Sequence, residues 1–287
     1  IPPSVSALFG MYTENDTWMA GGAHLGIWKN DNIRYTGALA TGSVNIKVYR
    51  TALDRETTIN TTIEPDILYQ GLKFRLAGSR FFAGTSYLLL DTSSEIGISG
   101  LDPSFKTNSR GAAVIFSLEY DSRNNILTPT EGTYAQIKSQ FFDETWGSDD
   151  DFNRYRAFIR NYTRFSENWV LGLRLDSEAV DGDAPFYAYP FVYMRGVKAM
   201  RYQGEKTLVG EIELDWTFSP RWTLVGFVGA GKAFADKSEN DSDLIISRGI
   251  GIRYLIASKL GLQMGIDIAR GPEETAFYIQ TGTAWTR

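Results

Sequence analysis

The sequence predicts an all-β fold, a transmembrane antiparallel β-barrel of about fourteen strands. Apolar and polar residues alternate with a period of two, many alternating segments reach ten residues, and short connections alternate with longer ones. Because a strand points successive side chains to opposite faces, this alternation gives an apolar face for lipid and a polar face for a lumen.

The alternation is clearest in the second half of the chain. From 260 to 268, every second residue is Leu, Met or Ile, and Gly, Gln and Asp stand between them. From 208 to 216, one face carries Leu, Ile and Trp, and the other face carries three acids. A helix would scatter the same residues around its circumference, so these segments predict strands.

The predicted strands follow one another along the whole chain. Many have the length that a tilted membrane strand needs, about twice that of most strands in soluble proteins. In chain order they lie near 4–13, 17–28, 33–50, 64–77, 80–91, 110–120, 132–142, 152–164, 168–179, 207–218, 221–234, 244–257, 259–270 and 275–286. Tight turns are predicted at 29–32, 78–79, 166–168, 219–220 and 258–259, and longer loops at 51–63, 92–109, 144–151, 180–206 and 236–242.

Composition narrows the function classes. The 287 residues contain no cysteine, which excludes disulfides, thiol nucleophiles and thiolate metal sites. The net charge of −5 argues against a nucleic-acid partner. No apolar run approaches the roughly 18 residues that a membrane helix needs, and no linker or composition break divides the chain. We therefore expect a single domain over 1–287 that crosses a membrane with strands.

Tryptophan placement agrees with a membrane-spanning sheet. Trp169, Trp216, Trp222 and Trp285 fall beside short turns or near the C-terminus, on the face that carries Leu or Ile. This position predicts an aromatic girdle at the periplasmic membrane interface.

The segment 194–204 reads MRGVKAMRYQG and lies in a long connection that five more predicted strands follow. It resembles the conserved sixth-loop motif of the BamA/TamA superfamily, the outer-membrane assembly and translocation barrels (surface-antigen domain). The segment YDSRN at 120–124, followed by Pro129 and Gly132, resembles the family's turn after an interior strand. The resemblance covers the chain from about residue 110 to its end. It is closest to the small POTRA-less members, at 201–204, 249–254 and 269–273.

The resemblance implies the outer membrane of a Gram-negative bacterium and a sixth-loop motif that folds into the lumen. Family barrels usually have sixteen strands, so the first two would lie upstream of Ile1 or be absent here. Family members also often carry an Asp before a Gly on the second strand after the loop, where this chain has Gly229.

Arg195 is the strongest candidate for a functional residue. In the family, the equivalent Arg folds back inside the barrel and pairs with acids on the inner wall, which holds the loop in place. A guanidinium in a low-dielectric lumen needs such partners, and its planar fork suits carboxylates. The alternatives are a solvated loop arginine, or a pairing that is purely architectural. The loop motif comprises Arg195, Gly196 and Val197, and the candidate partners of Arg195 are Glu211, Glu213, Asp215 and Asp267.

A basic set is predicted on the lumen side of earlier strands. Opposite the acids, these residues would impose a transverse field on a water-filled lumen. The simpler alternative is that the charges neutralise one another and hydrate the interior. The set comprises Lys73, Arg75, Lys138, Arg154, Arg156 and Arg160.

The sequence gives little support for catalysis. His24 is the only histidine, and its position between Gly22 and Gly26 suggests that it points into the lumen. No serine has the surroundings of a nucleophile, and no histidine cluster is present for a metal. We expect no enzyme activity and no cofactor.

Three functions stay open. The resemblance implies assisted insertion or translocation of proteins or lipids, helped by a weak seam where the last strand, 276–285, pairs with the start of the chain. POTRA-type domains are missing, so a separate periplasmic partner or an upstream region would have to capture clients. The alternatives are a narrow channel and the membrane anchor of a larger polypeptide. Expected partners are outer-membrane lipid and lipopolysaccharide, client outer-membrane proteins or a periplasmic partner, and no nucleic acid.

Overall fold

The computed structural model describes residues 4–13, 15–52, 55–98, 105–235 and 241–285. This part of the chain contains fourteen strands and two short 3₁₀ helices, Glu144–Trp146 and Phe186–Ala188. Among these residues, no helix is long and apolar enough to cross a membrane. The strands are β1 (Val5–Tyr12), β2 (Trp18–Trp28), β3 (Ile33–Ala52), β4 (Arg55–Arg75), β5 (Phe81–Ile98), β6 (Phe105–Asp121), β7 (Gly132–Phe142), β8 (Phe152–Ser166), β9 (Trp169–Gly182), β10 (Lys206–Ser219), β11 (Trp222–Phe234), β12 (Ile245–Ala257), β13 (Leu262–Arg270) and β14 (Thr275–Thr281).

The strands form one sheet in which each strand lies beside its neighbours in the chain. The fourteen predicted strands are confirmed in number and order. In the described sheet, β1 and β14 are the two edge strands. The pairing of the last strand with the start of the chain stays a prediction.

The predicted loops at 51–63 and 92–109 are wrong over most of their length. Strand β4 begins at Arg55, β5 continues to Ile98 and β6 begins at Phe105. Residues 57–63 pair in register with 44–50 of β3, so this hairpin continues far beyond the predicted strand end. The segment is rich in β-branched Thr and Ile, which favour strands, but it lacks the apolar–polar alternation used for prediction. Residues 53–54 and 99–104 of these predicted loops lie outside the described residues.

Strand β10 defines the two faces of the sheet. Leu208, Ile212 and Leu214 are exposed on the apolar outer face, whereas Glu211 and Glu213 are buried on the inner face. Since the side-chain period is two, a slip of one residue would move the acids to the outer face and the leucines inward.

Contacts divide the chain into two compact units. Unit 1 comprises Ile1–Leu118, Lys138–Tyr155 and Val180–Tyr189, and unit 2 comprises Glu119–Ile137, Arg156–Ala179 and Pro190–Arg287. The single domain over 1–287 stays a prediction.

Unit 1 has an apolar cluster on its inner face. Phe142 and Phe152 stack with ring centroids 4.2 Å apart. The 3₁₀ helix Phe186–Ala188 lies against this cluster, and the Tyr187 hydroxyl is 2.7 Å from the Ser109 hydroxyl. The first part of the β9–β10 connection is thus held against the inner face of unit 1. The buried members of the cluster are Ala113, Ile115, Phe142, Phe152, Val180 and Ala188.

The C-terminal segment of unit 2 leaves the sheet after β14. Gly282 has a left-handed backbone (φ 74°), and its N–H donates to the Gln263 carbonyl over 2.8 Å. The Thr283 N–H donates to the Leu127 carbonyl over 2.8 Å. The chain therefore turns toward the segment that follows β6.

This turn corrects the prediction for Trp285. The indole is only 2% exposed, so it does not join an outer aromatic girdle. It lies over Gly172 on β9, where an added Cβ would come within 2.8 Å of the ring, and its centroid is 5.8 Å from that of Tyr162. Sequence alternation predicts the outer face for Trp285 only for a strand that continues past Gly282, and β14 ends at Thr281. Trp216 and Trp222 do lie exposed on the outer face.

We expect Trp285→Ala to lower the free energy of unfolding by about 3 kcal/mol, because it removes a buried aromatic side chain. Trp285→Phe should lower the free energy of unfolding by less, because it also removes a buried indole N–H that has no hydrogen-bond partner. Urea unfolding in detergent micelles measures both. Trp222→Ala on the outer face is the control, with an expected loss of about 1 kcal/mol. Equal losses at the two tryptophans would contradict the buried position.

Candidate functional site

The second part of the β9–β10 connection, 190–205, lies against the inner face of unit 2. Phe191 and Gln203 form an antiparallel bridge, and the Val192 N–H donates to the Tyr202 carbonyl over 2.9 Å. Val192 and Met194 are buried. They pack against apolar side chains of three strands, Val209 of β10, Ala233 of β11 and Ile245 of β12.

The tip of this loop needs a glycine. Gly196 has a φ of 83°, and an added Cβ would lie 2.8 Å from the Gly271 nitrogen. The Gly196 N–H donates to the Tyr278 hydroxyl of β14 over 2.8 Å. The Ser247 hydroxyl of β12 donates to the Arg195 carbonyl. Backbone contacts thus fix the loop next to β12 and β14.

The Arg195 side chain is buried among three carboxylates. Its Nε donates to Glu211 over 3.0 Å and its Nη1 donates to Asp267 over 2.8 Å. Its Nη2 lies 2.6 Å from Glu213 Oε2 and also contacts Glu211. The guanidinium carbon is 3.4 Å from the centre of the Phe227 ring. Arg195 therefore joins the loop to β10, β11 and β13 by charged hydrogen bonds and a cation–π contact.

The fourth predicted partner, Asp215, does not pair with Arg195. Its Oδ1 is buried without a hydrogen-bond partner. Asp215 lies on the same face of β10 as Glu211 and Glu213, but further along the strand. The alternation of side chains along β10 correctly predicts that Asp215 lies on the inner face. It does not predict how far along the strand the loop reaches.

The structure accounts for Gly229 on β11. An added Cβ would lie 3.0 Å from the Met194 sulfur and 3.1 Å from Glu211 Cγ. A side chain at this position would therefore collide with the loop and with the acid that binds Arg195. Glu211 of the neighbouring strand, directly opposite Gly229 in the register, supplies the carboxylate.

Two further arginines extend the charged contacts, and neither is among the site residues that the sequence predicts. Arg253 of β12 donates twice to Asp267, over 2.5 and 2.9 Å. Arg174 of β9 lies 3.4 Å from Glu211 and 3.3 Å from Asp176. The alternation of side chains along β9 and β12 indicates that both arginines lie on the inner face. In unit 2 the carboxylates and guanidiniums alternate along one run, which we call the charge chain: Glu178, Arg156, Asp176, Arg174, Glu211, Arg195, Asp267 and Arg253.

The predicted basic set lies on inner-facing positions of three strands. Arg75 of unit 1 pairs with Asp31 and lies 4.4 Å from the Phe82 ring. Arg156 of unit 2 pairs with Asp176 over 2.8 Å and with Glu178 over 3.4 Å. These two charges are compensated by local neighbours, which favours the simpler alternative for them. Lys73 and Arg75 belong to β4, Lys138 belongs to β7, and Arg154, Arg156 and Arg160 belong to β8.

The prediction that His24 points into the lumen is wrong. His24 shares a strand face with the exposed Trp28, and its Nδ1 lies 2.8 Å from the Ser6 hydroxyl. The middle of β2, residues 20–23, consists only of Ala and Gly, and larger apolar residues occur on both faces of the strand, so its sequence does not indicate which face is the outer one. Within the described part of the chain, no group of three or more His, Asp or Glu side chains is placed to hold a metal ion.

An antiparallel sheet with an apolar outer face and a charged inner face is typical of outer-membrane β-barrels. The model of the Omp85 superfamily domain matches residues 30–285. The chain therefore belongs to the Omp85 superfamily. This membership and the following structural likeness confirm the predicted all-β barrel class.

The fold is similar to solved structures at low sequence identity. BamA from Haemophilus ducreyi lacking POTRA domains 1–3 is 12% identical, with a TM-score of 0.65 over 97% of this chain and 64% of that chain. The chain thus spans less than two thirds of the length of that protein. A Pseudomonas aeruginosa FadL homologue is 11% identical, with a TM-score of 0.51 over 92% of this chain and 70% of that chain. No curated protein sequence matches this chain.

We expect Arg195→Ala to lower the free energy of unfolding by about 3 kcal/mol, because buried Glu213 loses the cation it contacts and buried Glu211 and Asp267 each lose one of two. Arg221→Ala is the matched control, since Arg221 is exposed and makes a single hydrogen bond to Tyr254. Its loss should stay within about 0.5 kcal/mol. Urea unfolding of the two variants in the same detergent compares them. Equal stability of the Arg195 variant and the wild type would contradict the described burial.

Proposed function

We propose that this barrel assists the insertion or translocation of proteins or lipids at the outer membrane of a Gram-negative bacterium. The observation that carries the proposal is the buried contact of Arg195 with Glu211, Glu213 and Asp267 in a chain of the Omp85 superfamily. These residues hold a long loop against the last strands of the sheet. On this proposal the chain has no enzyme activity and needs no cofactor.

The edge strands support an assembly role. All eight residues of β1 are exposed, and β14 exposes Phe277 and Ile279 on its outer face. An edge strand presents unpaired N–H and C=O groups, which form a template for another strand. Because the Gly196 N–H bonds to Tyr278 of β14, the loop and this edge are physically connected. A client strand is therefore the kind of partner that fits this surface.

The proposed partners follow from the location. The apolar outer face contacts outer-membrane lipid and lipopolysaccharide. Client outer-membrane proteins would reach the edge strands from the periplasm, delivered by a separate periplasmic partner or by a region of a longer chain.

We expect the wild-type barrel, reconstituted in liposomes, to accelerate the folding of an unfolded test barrel relative to empty liposomes. Arg195→Ala should remove most of this acceleration, because the loop loses its buried anchor, and Arg221→Ala should keep it. The heat-modifiable gel shift of the test barrel measures the rate. The variants are compared at equal amounts of folded barrel, so that a loss of stability alone does not lower the measured acceleration.

Absence of acceleration by the wild type would overturn the proposal for this chain. Ion conductance in planar bilayers would then favour the narrow channel, for which the charged inner face is the supporting observation. Absence of both activities would favour a membrane anchor.

A further inference from the structure

The second half of the β9–β10 loop grips the turn between β13 and β14. Arg201 Nε donates to Glu273 Oε1 over 2.6 Å, and the Tyr202 hydroxyl donates to the same oxygen over 3.0 Å. Lys198 Nζ lies 4.0 Å from Glu273 and 3.4 Å from Glu274. Three side chains of one loop therefore converge on a two-residue acidic turn, with Glu273 at the centre.

The backbones of the loop and the turn are also in contact. The Gly271 N–H donates to the Glu274 carbonyl over 3.0 Å, which closes the turn. An added Cβ at Gly271 would collide with the Gly196 carbonyl. The turn thus fits against the tip of the loop, and Glu273 holds it there from the side that faces solvent.

The two anchors of the loop differ in burial. The side chain of Arg195 is 6% exposed, whereas those of Arg201 and Glu273 are 19% and 33% exposed. When a buried ion pair separates, both charges stay unpaired in a medium of low dielectric constant. When a half-exposed pair separates, both charges return to water. The outer contact can therefore open and close while the Arg195 contact stays formed.

We propose that Glu273 is a positioning residue, a releasable latch through which the loop sets the position of the last strand, β14. The latch comprises Glu273 with Lys198, Arg201 and Tyr202. The inference rests on the proposed function, because the last strand is one of the edges that a client strand would meet. It assigns a role to four residues outside the Arg195 site.

The ionisation of Glu273 supports a latch that responds to pH. Burial raises its pKa, but the hydrogen bonds from Arg201 and Tyr202 and the charges of Arg201 and Lys198 outweigh burial and lower it below the ordinary value of 4.5. Glu274 is the other titratable group of the turn. A carboxyl with a lowered pKa contributes its contact above the unfolded pKa and loses it as pH falls through the folded pKa. The latch therefore holds at neutral pH and opens in acid.

The structural test is hydrogen exchange on the full chain in liposomes, followed in peptides that cover 198–204 and 271–276. Glu273→Gln keeps the size of the side chain and mimics its protonated form. At pH 7 we expect exchange about fivefold faster in both peptides, as for loss of a half-exposed ion pair. Glu274→Gln is the matched control and should change exchange less than twofold. The charge-reversed pair Arg201→Glu with Glu273→Arg should restore slow exchange.

The exchange rates are also measured over a pH series, because a role of Glu273 in packing alone would not make them depend on pH. After correction for intrinsic exchange, the wild type in acid should reach the rate of Glu273→Gln, and the variant should not change with pH. Unchanged exchange in Glu273→Gln, or equal effects of the two Gln variants, would overturn the latch whatever the barrel does to clients.

The functional test uses the assisted-folding assay. Glu273→Gln should reduce the acceleration at least threefold at full heat-modifiable folding, and Glu274→Gln should keep it. Faster exchange without a change in acceleration would overturn the positioning role and leave the proposed function intact. If the wild type itself gives no acceleration, the proposed function fails, and the positioning role fails with it.

Discussion

The buried guanidinium of Arg195 is the interaction on which the organisation of unit 2 depends. A desolvated cation needs carboxylates, and Glu211, Glu213 and Asp267 supply them from β10 and β13. Two of these acids are compensated by further cations, Arg253 beside Asp267 and Arg174 beside Glu211. One loop arginine is thus continuous with a charge chain that crosses the inner face from β8 to β13. Removing an internal member therefore takes one charged partner from each of its buried neighbours.

The same contact restricts the backbone around it. The loop can approach β11 only because Gly229 has no side chain, and it can reach the β13–β14 turn only because Gly196 and Gly271 have none. On β10, the register that turns Glu211 inward also turns Leu208 and Ile212 outward to the apolar face. A slipped register would lose the ion pairs and the lipid-facing surface together, so charge and hydrophobicity specify one alignment.

Local periodicity was enough to predict the strand order, because a membrane-spanning strand repeats its two faces over ten or more residues. Periodicity gave wrong predictions where a segment does not repeat two distinct faces. The Thr-rich segment at 57–63 is a strand without apolar alternation, and alternation does not predict the left-handed turn at Gly282 that takes Trp285 out of the strand. Alternation predicts that Glu211, Glu213 and Asp267 lie on the inner face, and it predicts the same for Asp215. Only the three-dimensional structure shows that Asp215 lies beyond the reach of Arg195. The missed arginines, Arg174 and Arg253, pair with acids that lie near one another only across strands.

Stability alone does not explain why this loop is held by charges. Val192 and Met194 already bury apolar surface against β10, β11 and β12, and a well-packed hydrophobic residue in place of a buried ion pair is often as stable. A guanidinium fork adds direction, since its donors meet Glu211 and Asp267 on strands that lie on either side of β11 and β12. We therefore infer that the charges specify where the loop tip lies. That tip contacts Tyr278 and Gly271, so the position that the charges specify is passed directly to the last two strands.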